Sequence, residues 1–296
     1  MLKNSKAKQL NKLTLQATNL YIKPFLNWYF MEIKFNCNRS GCCCKNIRRH
    51  NNFQKDLFDK QNESGPWYNL INPNDLGVVV YSFEKDMLLE LAKKNNLKIS
   101  FSPHNVIIDE EQKKVLVIRY MMDQDTCPFL DKKDMCCIFD SNAFICRLYP
   151  LGLDTDQKTR RIHYFGCPGI SDSKRKEDNE KVFKTRGSYL THMVDYFGYD
   201  IVTASEMERN VFDKITAVVK YFSDEKNNPY FRAIKKPLTS VRQNLKDFEF
   251  IDFHTFIKSN PSFSEDTKKI VTFPSNEEFT TFALSIKKEI EESKEN

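Results

Sequence analysis

Glycine is scarce in this chain, which has only eight glycines among 296 residues. None of them forms the Gly-x-Gly-x-x-Gly turn of a dinucleotide-binding fold or a phosphate-binding P-loop, because both need glycines at fixed short spacings. The five histidines form neither a His-x-x-x-His pair nor a His-Glu-x-x-His motif. The sequence therefore argues against a Rossmann-type cofactor site and against a histidine-paired metal site.

Long apolar runs are also missing. No stretch reaches the roughly 18–20 apolar residues that span a bilayer, and the N-terminal region lacks the compact apolar core of a secretory signal. The net charge of +6 is divided between 46 basic and 40 acidic residues, a mixture typical of a solvated surface rather than a nucleic-acid footprint. We expect a cytoplasmic protein without a transmembrane segment, for which nucleic acid is a disfavoured partner.

Cysteine is absent from the last 129 positions, so that all nine cysteines lie between residues 37 and 167. Cys42, Cys43 and Cys44 are consecutive, and three neighbouring side chains cannot all face one apolar interior. Thiolates are soft and strong metal donors. In a reducing cytoplasm an odd number of thiols also disfavours a disulfide framework. The pattern therefore predicts metal binding.

Composition and pattern divide the chain into three parts: a basic N-terminal extension (1–34), a cysteine-bearing metal-chelating domain (35–170) and an α-helical C-terminal extension (171–296). The first part includes a helix predicted at 13–22. An alternative start at Met31 would leave residues 1–30 outside the functional core.

Regular elements are predicted at three places. Ser82 is placed as the N-cap of a helix that ends near residues 93–96, and the strands 106–108 and 115–118 flank a polar loop as a β-hairpin. Apolar residues recur at helical spacing over 211–222. These patterns predict an α+β fold that is mostly helical, with a β-hairpin and a small irregular cysteine-rich core that binds metal.

Four cysteine motifs follow one another along the chain. They are Phe35-Asn-Cys37-Asn-Arg-Ser40-Gly41-Cys42-Cys43-Cys44, then Cys127-Pro-Phe-Leu130, then Cys136-Cys-Ile-Phe-Asp-Ser-Asn-Ala-Phe-Ile-Cys146-Arg-Leu-Tyr-Pro150, and finally Cys167-Pro-Gly169. In their order and content, residues 35–170 resemble the CxxCxxCC, or YkgJ-like, cysteine-cluster family. Its members are regarded as zinc- or iron-chelating proteins.

The resemblance implies a set of metal ligands. Seven cysteines match the family pattern: Cys37, Cys43, Cys44, Cys127, Cys136, Cys146 and Cys167. Ser40 stands where the family has its second cysteine, and Cys42 is an additional thiol two residues later. We expect Cys42 to supply the eighth ligand, with Cys137 as the next candidate, because a neutral hydroxyl binds zinc or iron far more weakly than a thiolate.

The expected function is chelation of zinc or iron, including an iron–sulfur cluster as one form. Four thiolates complete a tetrahedral zinc site at about 2.3 Å, and four also hold an iron–sulfur cluster. The helical extension would then serve as a scaffold or contact a protein partner. The alternative is an enzyme acting on a protein substrate, because flagellin lysine-N-methylases carry a similar cluster. No methyl-donor motif, catalytic residue or organic cofactor site is identified in this sequence.

Overall fold

A five-stranded sheet forms the centre of this protein. Its computed structural model describes residues 35, 41–45, 47, 49–50, 67–70, 75–138, 143–151, 167, 169–171, 173–174, 177–178, 181–222, 242–272 and 274–294. The predicted extension 1–34 with its helix at 13–22 lies outside the described residues, and so does Cys37.

The described residues form seven strands. They are β1 (Arg49–His50), β2 (Tyr68–Asn69), β3 (Asp75–Leu76), β4 (Val79–Tyr81), β5 (Phe101–Asp109), β6 (Lys114–Met122) and β7 (Glu249–Asp252). β1 and β3 pair with each other, and the remaining strands form one sheet around β5 and β6. β4 pairs with Arg119–Met121 and β7 with Lys114–Val117, so these two strands lie end to end along one side of β6. The β6–β7 pairing is parallel, whereas the others are antiparallel.

Helices occur before, between and after the strands. The described ones are α1 (Cys42–Lys45), α2 (Ser82–Lys94), α3 (Phe144–Leu148), α4 (Arg186–Phe197), α5 (Tyr199–Phe222), α6 (Phe253–Ser259), α7 (Glu265–Ile270) and α8 (Asn276–Lys294), with a 3-10 helix at Arg242–Asp247. Among these described helices, none combines the length and the apolarity needed to cross a membrane.

Both faces of the sheet are buried, because apolar side chains alternate along β5 and β6 and point to opposite sides. One side, which we name the loop-side cluster, contains Tyr68, Val80, Leu88, Ala92, Val106, Ile108, Val115, Val117, Tyr120, Phe129, Ile138 and Ala143. The other side, the helix-side cluster, contains Trp67, Tyr81, Phe83, Ile107, Leu116, Ile118, Phe144, Met207, Val211, Ile215, Val219, Phe222, Phe253, Ile257 and Val271.

A third core lies among the helices away from the sheet. This bundle cluster contains Phe35, Leu148, Leu151, Cys167, Ile170, Phe183, Tyr189, Leu190, Met193, Val194, Phe197, Val202, Ala204, Ile286 and Ile290. Helix α3 contributes to this core through Leu148 and to the helix-side cluster through Phe144, while the preceding Ala143 belongs to the loop-side cluster. This five-residue helix therefore lies where the three cores meet.

The α+β class and the hairpin are confirmed, since β5 and β6 pair over most of their length around a turn at 110–113, with register shifts between Pro103 and Val106. The helix expected near Ser82 and the one expected over 211–222 are confirmed as α2 and α5. Ser82 as the N-cap was wrong. Tyr81 is the N-cap, because the carboxylate of Glu84 accepts a hydrogen bond from the backbone N–H of Tyr81.

The C-terminal part is not purely helical, because β7 adds to the central sheet by pairing with β6. Two features explain why the sequence pattern did not predict β7. Four residues are too few to show a periodicity, and a parallel pairing joins segments that lie more than a hundred residues apart in the chain. The boundaries of the three predicted parts stay a prediction.

Candidate metal centre

Gly41 allows the first cysteine segment to turn tightly into helix α1. Its φ is +67°, a left-handed conformation that favours glycine. Its carbonyl accepts hydrogen bonds from the backbone N–H groups of Cys44 and Lys45, each at 2.9 Å. A Cβ on Gly41 would lie 3.0 Å from the backbone oxygen of Asp134 and 3.3 Å from the side chain of Leu130. Only glycine therefore fits both the turn and the close approach.

Backbone hydrogen bonds fasten this segment to the loop that carries Cys127. The N–H of Cys127 donates to the carbonyl of Cys44 at 2.7 Å, and the N–H of Ile47 donates to the carbonyl of Asp125 at 2.9 Å. The Thr126 hydroxyl donates to the carbonyl of Lys45 at 2.9 Å. Two of these three bonds join backbone atoms only, and together they bring the backbones of Cys44 and Cys127 side by side.

An ion pair crosses the same contact. The Nζ atom of Lys45 lies 2.6 Å from Oδ2 of Asp134, with both side chains close to half exposed. An exposed pair of this kind contributes about 0–1 kcal/mol. The arrangement of the two segments therefore depends mainly on the backbone bonds and on Gly41.

The stretch from Cys127 to Cys137 is a tightly bonded loop. The N–H of Cys137 donates to the carbonyl of Phe129 at 2.9 Å, and Leu130 and Cys136 form an antiparallel bridge. Oδ1 of Asp131 accepts hydrogen bonds from the N–H groups of Met135 and Lys133, which lower the pKa of its carboxyl group. Cys127 and Cys136 are half-buried against the loop-side cluster. Cys137 is exposed.

Two of the acidic residues near Cys127 have structural partners. Asp131 holds the turn of this loop, and Asp134 pairs with Lys45. Together with Asp123 and Asp125 they form an acidic patch around Cys127 in the sequence. The contacts of Asp131 and Asp134 favour a solvated loop here rather than a site for a hard metal such as calcium.

Cys146 is the central residue of α3 and is exposed. Phe144 and Leu148, on either side of it, are each 1% exposed, so the helix is anchored by its buried face. The guanidinium carbon of Arg147 lies 4.9 Å from the ring centroid of Phe279. Such a cation–π contact gives Arg147 a packing role in addition to any effect of its charge on a neighbouring thiolate.

Cys167 is buried in the bundle cluster. A Cβ on Gly169 would lie 3.5 Å from Sγ of Cys167 and 3.3 Å from the ring of Phe35. The N–H of Phe35 donates to the carbonyl of Tyr196 on α4 at 2.8 Å. The start of the first cysteine motif is thus attached to the last one, on the bundle side of the protein.

The structure joins Cys44, Cys127 and Cys136 through backbone contacts, places Cys146 on α3 where the three cores meet, and buries Cys167 in the bundle cluster. Cys37 is outside the described residues, and for Cys42 and Cys43 only the helical backbone is described. Among the side chains that are described, no three histidine, cysteine, aspartate or glutamate residues are grouped as metal ligands would be. The chemistry of the donors nonetheless fits zinc or iron, since thiolates bind both.

A buried ionisable cluster lies next to this region and was not found from the sequence. Glu84 is 1% exposed, and its two carboxyl oxygens accept from the N–H groups of Tyr81 at 2.8 Å and Phe144 at 2.7 Å. Glu208 is also buried, and the hydroxyl of Tyr81 donates to its Oε1. Burial raises the pKa of Glu84 to about 7 and that of Glu208 to about 8.

A polar row leads across the sheet to this cluster. Asn69, Asn105, Arg119 and Tyr81 lie opposite one another on β2, β5, β6 and β4. Nδ2 of Asn105 donates to Oδ1 of Asn69, and Nε of Arg119 donates to Oδ1 of Asn105 at 2.6 Å. The one signal available in the sequence was Glu84 itself, three residues after Tyr81 in the spacing of a capping box.

Comparison of the chain with protein-family models, with curated proteins and with solved structures finds no match.

Proposed function

We propose that this protein binds zinc or iron through thiolates of its four cysteine motifs. The observation that carries the proposal is the 2.7 Å hydrogen bond from the N–H of Cys127 to the carbonyl of Cys44. It joins two motifs that are more than eighty residues apart in the chain, and Cys136 lies in the same bonded loop. Elaborate backbone bonding of this kind around thiols is what a preorganised metal site needs.

The proposed ligands are those implied by the resemblance to the cysteine-cluster family: Cys37, Cys42, Cys43, Cys44, Cys127, Cys136, Cys146 and Cys167. Bound metal ions would link the loop that carries Cys127 and Cys136 to α3 and to the bundle cluster, and so hold together segments with few regular elements. Eight thiolates exceed the four of one tetrahedral site, so they would form two closed sites or one multi-metal cluster, and an iron–sulfur cluster would add electron transfer. A reducing compartment such as the cytoplasm suits the proposal, because oxidised thiols do not bind metal.

Elemental analysis of anaerobically purified protein, together with its visible spectrum, tests the proposal. A brown protein absorbing near 400 nm would support an iron–sulfur cluster, and a colourless protein containing zinc would support closed thiolate sites. The Cys44→Ser and Cys127→Ser variants should lose metal and melt at a lower temperature. Lys45→Ala is the matched control, because it removes the exposed ion pair of the same contact and leaves every thiol in place. Metal-free wild-type protein whose Cys→Ser variants melt normally would refute the proposal.

A further inference from the structure

One side chain, that of Glu84, bonds the beginnings of two helices. Oε2 accepts from the N–H of Tyr81, the N-cap of its own helix α2, at 2.8 Å. Oε1 accepts from the N–H of Phe144, the first residue of α3, at 2.7 Å. Glu84 and Phe144 are sixty residues apart in the chain. Because Glu84 is 1% exposed, water cannot easily replace either bond.

Helix α3 depends on such an external acceptor. A helix of five residues is too short to be stable alone, and its first N–H groups have no partner within the helix. Ala143 is the N-cap and has no side-chain oxygen to accept a hydrogen bond. Glu84 thus performs from another helix the task that a capping serine or aspartate performs locally.

The orientation of Cys146 follows from the way α3 is held. Phe144 and Leu148 are buried in two different cores and fix the inner face of the helix. The bond to Glu84 fixes its first turn, two residues before Cys146. Because Cys146 lies between these attachments, its direction depends on how they hold α3.

We propose that Glu84 is a positioning residue that holds helix α3 in the orientation at which Cys146 joins the metal centre. The statement that Cys146 joins a metal centre rests on the proposed function. Glu84 contacts no thiol in this role and acts through the backbone of Phe144. It corresponds to the outer-shell groups of metal sites, whose removal typically weakens metal binding about 10- to 100-fold.

The test compares Glu84→Leu and Glu84→Gln with Leu88→Ala. Glu84→Leu removes both carboxyl oxygens that accept hydrogen bonds, whereas Glu84→Gln keeps the shape of the side chain and one acceptor oxygen. Leu88 is 2% exposed one turn further along α2, so its truncation destabilises the same helix without touching the bond to Phe144. Cadmium titration of the reduced proteins, followed by thiolate-to-metal absorption in the ultraviolet, measures metal affinity. Hydrogen exchange of the amides of Phe144–Leu148 measures how firmly α3 is held.

The expected result is at least a tenfold loss of cadmium affinity in Glu84→Leu, a smaller loss in Glu84→Gln and little change in Leu88→Ala. Exchange in α3 should become faster in the Glu84 variants alone. Unchanged affinity and unchanged exchange in both Glu84 variants would overturn the inference while leaving the proposed function standing. If wild-type protein bound no cadmium, the proposed function would fail, and the exchange data would still decide whether Glu84 holds α3. Glu84→Gln alone decides the question if Glu84→Leu does not fold.

Discussion

The hydroxyl of Tyr81 donates a hydrogen bond to Oε1 of Glu208 at 2.8 Å and thereby connects strand β4 to helix α5 inside the core. Both residues are buried, and the second oxygen of Glu208 has no hydrogen-bond partner among the described residues. Tyr81 therefore supplies a hydrogen bond that offsets the burial of this carboxyl group, in addition to the charges of Arg119 and Arg209.

Replacement of Tyr81 by phenylalanine should destabilise the protein by about 1–3 kcal/mol, because Glu208 would be left buried with neither oxygen bonded. Urea denaturation measures the change. Tyr196→Phe is the matched control, since the hydroxyl of Tyr196 makes no hydrogen bond in the described structure, and its effect should stay within about 0.5 kcal/mol. Equal effects of the two substitutions would contradict the assigned role of the Tyr81 hydroxyl.

Stability should fall as the pH rises from about 6.5 to 8.5. Burial raises the pKa of Glu84 to about 7 and that of Glu208 to about 8, so the folded protein retains protons that the unfolded chain releases near pH 4.5. A folded state that binds more protons loses stability with rising pH, and the two carboxyl groups together account for about 3 kcal/mol over this window.

The pH range matters because the histidines change the stability in the opposite direction. Burial lowers the pKa values of His104, His192 and His254, so their contribution to stability is lost as the pH falls below about 6.5. Urea titrations of the wild type and of Glu208→Gln at the same pH values separate the carboxyl contribution from that of the histidines. The Glu208→Gln variant should show a flatter dependence, and a wild-type stability that rises from pH 6.5 to 8.5 would rule out this account.

Alanine at Gly41 should weaken both the fold and metal binding. The left-handed conformation costs a non-glycine residue roughly 1–2 kcal/mol, and the new Cβ would press on the backbone of Asp134. Thermal melting and metal content measure the two effects. Gly41→Asn separates the causes, because asparagine tolerates this conformation but brings the same Cβ. If Gly41→Asn recovers most of the loss, the backbone conformation is the main cause; if it does not, the close contact is.

Cys42 and Ser40 differ in what their replacement should do. We predict that Cys42→Ser lowers the metal content and that Ser40→Ala does not, because a hydroxyl is a poor substitute for a thiolate at zinc or iron. Elemental analysis of the two variants and of Cys137→Ser measures this directly. Loss of metal from Cys137→Ser with full retention by Cys42→Ser would assign the eighth ligand to Cys137 instead.

The central hairpin and helices α2 and α5 were predictable because their patterns are local. Val106 and Ile108 alternate with Ile107 at the period of a strand, and Val211, Ile215 and Val219 recur at the period of a helix. The sequence predicted the N-cap of α2 one residue too late, because Ser82 makes a tertiary contact instead of capping the helix. Its hydroxyl oxygen accepts from the backbone N–H of His254 at 3.2 Å.

The sequence by itself determined the chemistry of the candidate site: nine thiols confined to residues 37–167, three of them consecutive, and too few glycines for a nucleotide-binding loop. The tertiary structure alone decided which of these segments meet. The bond between Cys127 and Cys44, the parallel pairing of β7 with β6 and the attachment of α3 to Glu84 all join residues far apart in the chain. Such contacts arise when separate segments bury apolar surface together, and no local periodicity records them.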